Sequence, residues 1–180
     1  MSKDVLILSA SPRKGGNSDT LCDQFCMGAK EVGHRVETLR LAELKIDYCS
    51  ACYACKKIGH CVKRDDMEKV IAKMREADVI VLATPVYFYS MCAQMKTMID
   101  RTLGGAQKPG LEGKKFYLIA TAADGRAAME RTIDGLRGYI ECLPGAEEMG
   151  VIYGEGAWQL GDILQNPAMQ EAYQMGKSIR

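Results

Sequence analysis

A chain of 180 residues is long enough to cover both faces of a sheet as one α/β domain, without help from metals or disulfides. Lysine and arginine number 24 against 23 for aspartate and glutamate, a formal net charge of +1 that leaves no broad field for a polyanion and excludes nucleic acid as the expected partner. No apolar run reaches the roughly 18 residues a membrane span needs, and Met1-Ser2-Lys3-Asp4 runs straight into an apolar stretch without a signal-peptide pattern, so a cytoplasmic protein with no membrane contact is expected.

Val5-Leu6-Ile7-Leu8 is a continuous apolar run closed by small residues, the pattern of a strand buried on both faces of a parallel sheet. After a glycine-containing loop, Leu21, Phe25, Ala29 and Val32 recur at helical spacing, with Gly33 as the C-terminal cap. Val36 to Leu41 alternates apolar and polar, a second strand near the sheet edge. Ile46 to Asp65 shows no sustained period and reads as a loop insertion. Asp65 or Asp66 caps the next helix, whose apolar positions are Met67, Val70, Ile71 and Met74.

Val79-Ile80-Val81-Leu82-Ala83 is the strongest buried-strand signal, expected to end at Thr84-Pro85. A helix follows from about Ala93 to Leu103. Lys115 to Thr121 predicts a fourth strand, Arg126 to Cys142 a helix, Gly150 to Tyr153 a fifth strand and Pro167 to Ser178 a closing helix. Alternating strands and helices imply parallel units with right-handed crossovers. Repeats and linkers are absent from the sequence, so one domain with a cysteine-rich insertion at about 46–65 is expected.

In an open parallel sheet, ligands bind beyond the carboxyl ends of the strands. The loop after the first strand, Ser9-Ala10-Ser11-Pro12-Arg13-Lys14-Gly15-Gly16-Asn17-Ser18, lies there. Ser11, Arg13, Asn17 and Ser18 offer hydroxyl, guanidinium and amide donors, while Gly15 and Gly16 let backbone N–H groups turn toward an anion at a helix start. This suits a terminal phosphate and is neither G-x-G-x-x-G nor a P-loop. A polar turn with a serine cap is the plainer alternative.

That loop, together with Thr84-Pro85-Val86-Tyr87-Phe88 after the third strand and Lys96 to Asp100-Arg101 on the next helix, resembles the NADPH-dependent FMN reductase family. The resemblance implies a flavodoxin-like three-layer sandwich with a five-stranded parallel sheet of order 2-1-3-4-5. It implies an FMN phosphate held at Ser11, Arg13, Gly16, Asn17 and Ser18, and an isoalloxazine ring met by Pro85, Val86, Tyr87 and Phe88. It further implies NAD(P)H as co-substrate, a small-molecule or protein redox acceptor, and a homodimer or higher homo-oligomer. Packing under a surface loop is the other reading of Tyr87 and Phe88. The turn Thr121-Ala122-Ala123-Asp124-Gly125 stands at a third strand end, but its residues are poorly diagnostic. Asp100 and Arg101 read as a helix-end ion pair or cap, His34 as a solvated turn residue, and no side chain stands out as a catalytic acid or base.

Eight cysteines are many for a reducing compartment. Cys22, Cys26, Cys92 and Cys142 fall in helical segments and read as packed thiols. Cys49-x2-Cys52-x2-Cys55-x5-Cys61 brings four thiols into one short loop, where iron-sulfur or zinc ligation and free or redox-active thiols all compete. The compact run resembles that of the iron-sulfur flavoproteins, which implies a 4Fe-4S cluster on Cys49, Cys52, Cys55 and Cys61. His60, beside Cys61, is placed to tune or replace a ligand, which is the less favoured reading of it. Lys56, Lys57, Lys63 and Arg64 flank the run; a solvated basic face explains them most simply. The leading function is electron transfer from NAD(P)H through FMN to a flavin, quinone or other acceptor; the alternative is an electron carrier loaded by ferredoxin.

Overall fold

The computed structural model describes residues 1–104 and 110–180. Five parallel strands form its centre: β1 (Asp4–Ser9), β2 (Arg35–Arg40), β3 (Val79–Tyr87), β5 (Lys115–Thr121) and β6 (Glu147–Gly154), in the spatial order β2-β1-β3-β5-β6. Counted along the parallel ladder alone, this is the expected 2-1-3-4-5 order. The addition is β4 (Ser90–Met91), a two-residue strand that pairs antiparallel with the end of β3.

Strand periodicity divides the core in two. Leu6, Leu8, Ile80, Leu82, Phe116 and Leu118 project to one face, where they meet α3 (Met67–Glu76), α4 (Ala93–Thr102) and α5 (Arg126–Glu141). Their neighbours Val5, Ile7, Val79, Val81, Tyr117 and Ile119 project to the other, against α1 (Asn17–Glu31) and α6 (Ala168–Lys177). Strand β1 is buried on both faces, whereas only Leu39 of the edge strand β2 is buried, which is why one reads as a solid apolar run and the other as alternation. Helices α1 and α6 touch backbone to backbone: a Cβ on Gly28 would stand 2.0 Å from the Tyr173 carbonyl oxygen, and one on Gly176 would stand 2.2 Å from that of Phe25. This contact holds the later part of α1 close against α6.

Several expectations change. Strand β3 does not stop at Thr84-Pro85. Proline removes only its own donor, so Pro85 stays opposite Thr121 and the strand continues by pairing Val86 with Met91 and Tyr87 with Ser90. The cysteine stretch holds a five-residue helix, α2 (Ala54–Ile58), too short to show a period. His34 is buried, not solvated: Nδ1 accepts the Lys3 N–H at 3.1 Å and Nε2 lies 3.2 Å from the Ile179 carbonyl, joining the start of β2 to the last residues of the chain. Val32 lies beyond the end of α1 and is exposed, and Cys142 is exposed because it caps α5 on its outer side; Cys22 and Cys92 are buried as expected. The Met67 N–H donates to Asp65 at 3.2 Å, so Asp65 supplies the side-chain bond at the start of α3. Among the described residues, no helix is long and apolar enough to cross a membrane.

Candidate active site and cysteine cavity

The carboxyl ends of β1, β3 and β5 open onto one cavity of about 440 Å³, within the size range of small-molecule sites. All nine residues expected from the sequence line it: Ser11, Arg13, Gly16, Asn17 and Ser18 at one end, Pro85, Val86, Tyr87 and Phe88 at the other.

The first end is a preformed turn. The Ser11 hydroxyl accepts the Arg13 N–H at 3.2 Å and donates to the Arg13 carbonyl at 3.1 Å, and the Gly16 N–H donates to the same carbonyl at 3.1 Å. Gly15 sits at φ +66°, a left-handed position that favours glycine. A Cβ on Gly16 would lie 3.0 Å from the Arg13 carbonyl oxygen and 3.1 Å from Ser11 Oγ, so glycine keeps the floor of the turn open at the N-terminus of α1. Ser18 Oγ is 2.7 Å from Thr121 Oγ1, a buried hydroxyl pair that joins α1 to the end of β5.

Beneath this turn lies a polar brace that the sequence reading missed. Asp19 in the first turn of α1 accepts the Ser9 hydroxyl, the Gly15 N–H at 2.9 Å and the Arg40 guanidinium. Arg40, at the end of β2, also donates to Glu43 at 3.0 Å. A carboxylate so near the turn would repel any anion bound there. The Arg40 charge cancels most of that field at close range. In sequence, Asp19 reads as an ordinary acidic residue in a first helical turn and Arg40 as an edge-strand charge; nothing local joins them.

The opposite end is apolar and aromatic. β3 and β4 form a hairpin whose two turn residues, Phe88 and Tyr89, have φ +50° and +62°. This is the backbone of a turn that normally takes Asn-Gly, so two aromatic side chains hold an unfavourable conformation at the rim of a cavity. Phe88 is fully exposed, and the Tyr89 ring lies 5.5 Å from the Arg131 guanidinium. At the hairpin base, Thr84 Oγ1 accepts the Cys92 N–H at 3.0 Å while the Cys92 thiol donates to the Ala10 carbonyl at 3.2 Å, tying the hairpin to the end of β1.

Two further walls complete the cavity. Thr121 to Asp124 supply the strand-end turn that the sequence left unassigned, and Ala157, Trp158 and Leu160 come from the segment after β6. That segment crosses the polar end: Arg13 Nη1 donates to the Trp158 carbonyl at 3.0 Å, Asn17 Nδ2 donates to the Gln159 carbonyl at 2.9 Å, and Asp162 gathers the Trp158 and Gln159 N–H groups at 2.9 and 2.6 Å. The only tryptophan of the chain, set among glycines, was the available signal for it.

Cys49, Cys52, Cys55 and Cys61 line a second, much smaller cavity of about 20 Å³, closed by Arg101, Leu103 and Gly104 at the end of α4. The loop is wound through left-handed positions at Ala51, Tyr53 and Gly59, with φ of 52°, 55° and 78°. A Cβ on Gly104 would lie 2.9 Å from Cys61 Cβ, so glycine there admits Cys61 to the cavity. All four thiols are free, and among the described residues no three His, Cys, Asp or Glu side chains are gathered tightly enough to hold a single metal ion. The Cys52 thiol is drawn below its ordinary pKa chiefly by the Ala54 N–H. His60 points its Nδ1 at the Cys61 carbonyl, 3.0 Å away, instead of into the cavity. Lys63 and Arg64 pair with Asp47 and Glu68, and Lys56 lies over the Tyr53 ring, as a solvated basic face would. Arg101 is a buried ion-pair residue, bound to Asp65 from the body of α4, while Asp100 pairs with Lys96 on the surface.

Comparison with known proteins gives the family and the fold. An iron-sulfur flavoprotein of Methanosarcina thermophila is 30% identical over 169 residues, covering 93% of this chain and 85% of that protein. An iron-sulfur flavoprotein of Archaeoglobus fulgidus is 41% identical over 104 residues, 58% of this chain but 47% of the relative, so the chain spans about half the length of that relative. Among solved structures, an azoreductase from Bacillus anthracis superposes with a TM-score of 0.77 at 22% identity, covering 99% of this chain and all of that one, which establishes the shared fold. The family profile described as NADPH-dependent FMN reductase matches residues 4–146, most of the chain, and the chain belongs to that family.

Proposed function

We propose that the larger cavity binds FMN and that the protein is an NAD(P)H-dependent FMN oxidoreductase passing electrons to a flavin, quinone or other acceptor. The observation that carries the reading is the convergence of an anion-holding turn and an aromatic hairpin on one cavity. The residues fit the cofactor: Gly16 leaves space where a Cβ would intrude, and hydroxyl, amide and guanidinium donors surround that space. FMN, when bound, supplies the hydride and electron chemistry. Ser11, Arg13, Asn17 and Ser18 hold the phosphate, with Arg13 and Asn17 turning part of their donor capacity from the Trp158 and Gln159 carbonyls to the phosphate oxygens. The Asp19–Arg40 brace keeps the turn in shape, and Pro85 to Phe88 bound the ring with backbone groups and aromatic faces. No side chain of this cavity is assigned to proton transfer. The reading extends to a cytoplasmic homodimer or higher homo-oligomer in which a second copy covers the exposed Phe88.

For Cys49, Cys52, Cys55 and Cys61 we propose ligation of a 4Fe-4S cluster. Support comes from one cavity lined by all four thiols and from relatives named iron-sulfur flavoproteins. A cluster presents four separate irons to its four thiolates and therefore asks for less crowded sulfurs than a single zinc ion, whose ligands converge within about 2.3 Å of one point. This cavity also favours the second reading, an electron carrier loaded by reduced ferredoxin.

Anaerobic stopped-flow mixing decides between the two. Bleaching of the flavin band by NADPH or NADH within the mixing experiment is the expected result; bleaching by reduced ferredoxin alone would install the carrier, and purified protein that binds no FMN would end both readings. For the cysteines, anaerobic reconstitution should give about four irons and four sulfides per chain. Serine at any one of the four positions should lower that content, and Cys22→Ser should leave it unchanged.

A further inference from the structure

Arg101 stands where the cysteine cavity meets the body of the fold, with a side chain 1% exposed. Nη1 donates to the Asp47 carbonyl at 2.6 Å and to Asp65 Oδ2 at 2.7 Å, and Nη2 donates to Asp65 Oδ1 at 2.9 Å. Asp47 lies just before Cys49 and Asp65 shortly after Cys61, so one guanidinium ties both ends of the cysteine loop. Asp65 adds a strap of its own by accepting the Asp47 N–H at 3.1 Å. A further donor, Nε, is buried without a hydrogen-bond partner among the described residues. The guanidinium adjoins the Cys61 thiol and lines the cavity alongside all four cysteines.

Such an arginine needs an explanation. A guanidinium does not lose its proton inside a protein, and a buried ion pair is on average no better for stability than apolar residues of the same shape. Asp65 supplies one negative charge against it, and the nearby Asp100 is engaged with Lys96 on the surface. Four thiolates would bring much more negative charge to this wall, and a buried cation with an unused donor is what an anionic group there requires. Lysine would provide the charge but not the planar fork that reaches Asp47 and Asp65 together.

We infer that Arg101 is a positioning and charge-compensating residue of the cysteine site, holding the loop closed around the four thiols and stabilising the more negative state of the group they bind. The inference rests on the reading of Cys49, Cys52, Cys55 and Cys61 as cluster ligands. Reduction by one electron from an external donor such as dithionite makes that group more negative by one charge and breaks no bond in the protein; the fixed positive charge of Arg101 then lowers the energy of the reduced state more than that of the oxidised state.

Three reconstituted holoproteins test it: wild type, Arg101→Lys, and the double variant Arg101→Met with Asp65→Asn, which removes the buried pair without leaving an unpaired charge. Retained FMN reports folding; iron and sulfide content, the rate of iron loss to a chelator, and the midpoint potential of the iron-sulfur signal report the site. The lysine variant should lose iron several-fold faster than wild type at a nearly unchanged potential. Because Arg101 lines the cysteine cavity and Asp65 does not, loss of both should still leave the reduced state about tenfold less favoured in the double variant, a fall of about 59 mV for a one-electron couple. Wild-type iron retention and potential in the double variant would overturn the role of Arg101 while leaving the cysteines as ligands. Wild-type protein that takes up neither iron nor sulfide would instead remove the cluster and this inference with it. If the double variant retains no FMN, the lysine variant decides alone, and iron retention equal to wild type then overturns the role.

Discussion

The two loops that carry the candidate sites are built in opposite ways. The turn after β1, the proposed phosphate site, lies on the sheet: it begins at the end of β1, ends in α1, and is braced from below by Ser9, Asp19 and Arg40. The cysteine loop lies off the sheet; its interior holds one short helix and left-handed turns, and its firm attachments are at its two ends, through Arg101 and Asp65. The first loop is shaped before any ligand arrives. The second has few internal bonds, so what its cysteines bind contributes more to its final shape.

The contrast breaks most visibly at its base. Arg40→Met would leave the Asp19 carboxylate without its cation and cost about 3 kcal/mol of unfolding free energy, the low end for a broken buried pair because the guanidinium keeps a little solvent contact. Urea denaturation monitored by circular dichroism measures it, and FMN affinity should fall with it; a loss below about 0.5 kcal/mol would mean that the turn does not depend on its brace.

A narrower probe is Arg13→Ala, which should weaken FMN by about 1.5 to 3 kcal/mol, tenfold or more, while riboflavin binding hardly changes. Fluorescence titration with both flavins separates the outcomes, and equal losses would move the phosphate elsewhere. At the other end of the cavity, Tyr87→Ala should spare affinity for the phosphate yet shift the flavin spectrum and midpoint potential. Identical spectra would place the ring away from the hairpin.

The cysteine loop offers a pH test. Hydrogen bonding to Arg101 holds the Asp65 carboxyl below its ordinary pKa. A depressed carboxylate adds stability above its unfolded value, near 3.9, and that contribution is lost as the pH falls through the lower folded value. In the protein without iron, amide-exchange protection of residues 48–64 should therefore fall below about pH 4, ahead of β1, after correction for intrinsic exchange. Loss of protection in step with β1 would show that Asp65 is not what holds the loop.

These differences also explain what could be read from the sequence. Val5 to Leu8 and Val79 to Ala83 announce buried parallel strands because a run apolar on both faces has few other homes. The turn after β1 is legible as a candidate anion site because its donors and glycines are contiguous. Asp19 and Arg40 meet only after β2 pairs with β1, and Trp158 lies at the cavity through bonds of its segment to the distant Arg13 and Asn17, so no local pattern reports them. His34 looked like a turn residue because its partners, Lys3 and Ile179, lie far away in sequence. The cysteine spacing suggested a shared center, but α2 spans little more than one turn and left no periodic trace.

The left-handed pair at the hairpin tip has a practical consequence. Glycine at Phe88 and Tyr89 would relieve the unfavourable backbone, so at these two positions thermal robustness and the aromatic rim pull in opposite directions. A directed-evolution campaign scored only on melting temperature would tend to enrich glycine there and return a hardier scaffold stripped of its rim. Scoring the same library for retained yellow colour would filter such variants out whenever the rim is needed to keep the flavin.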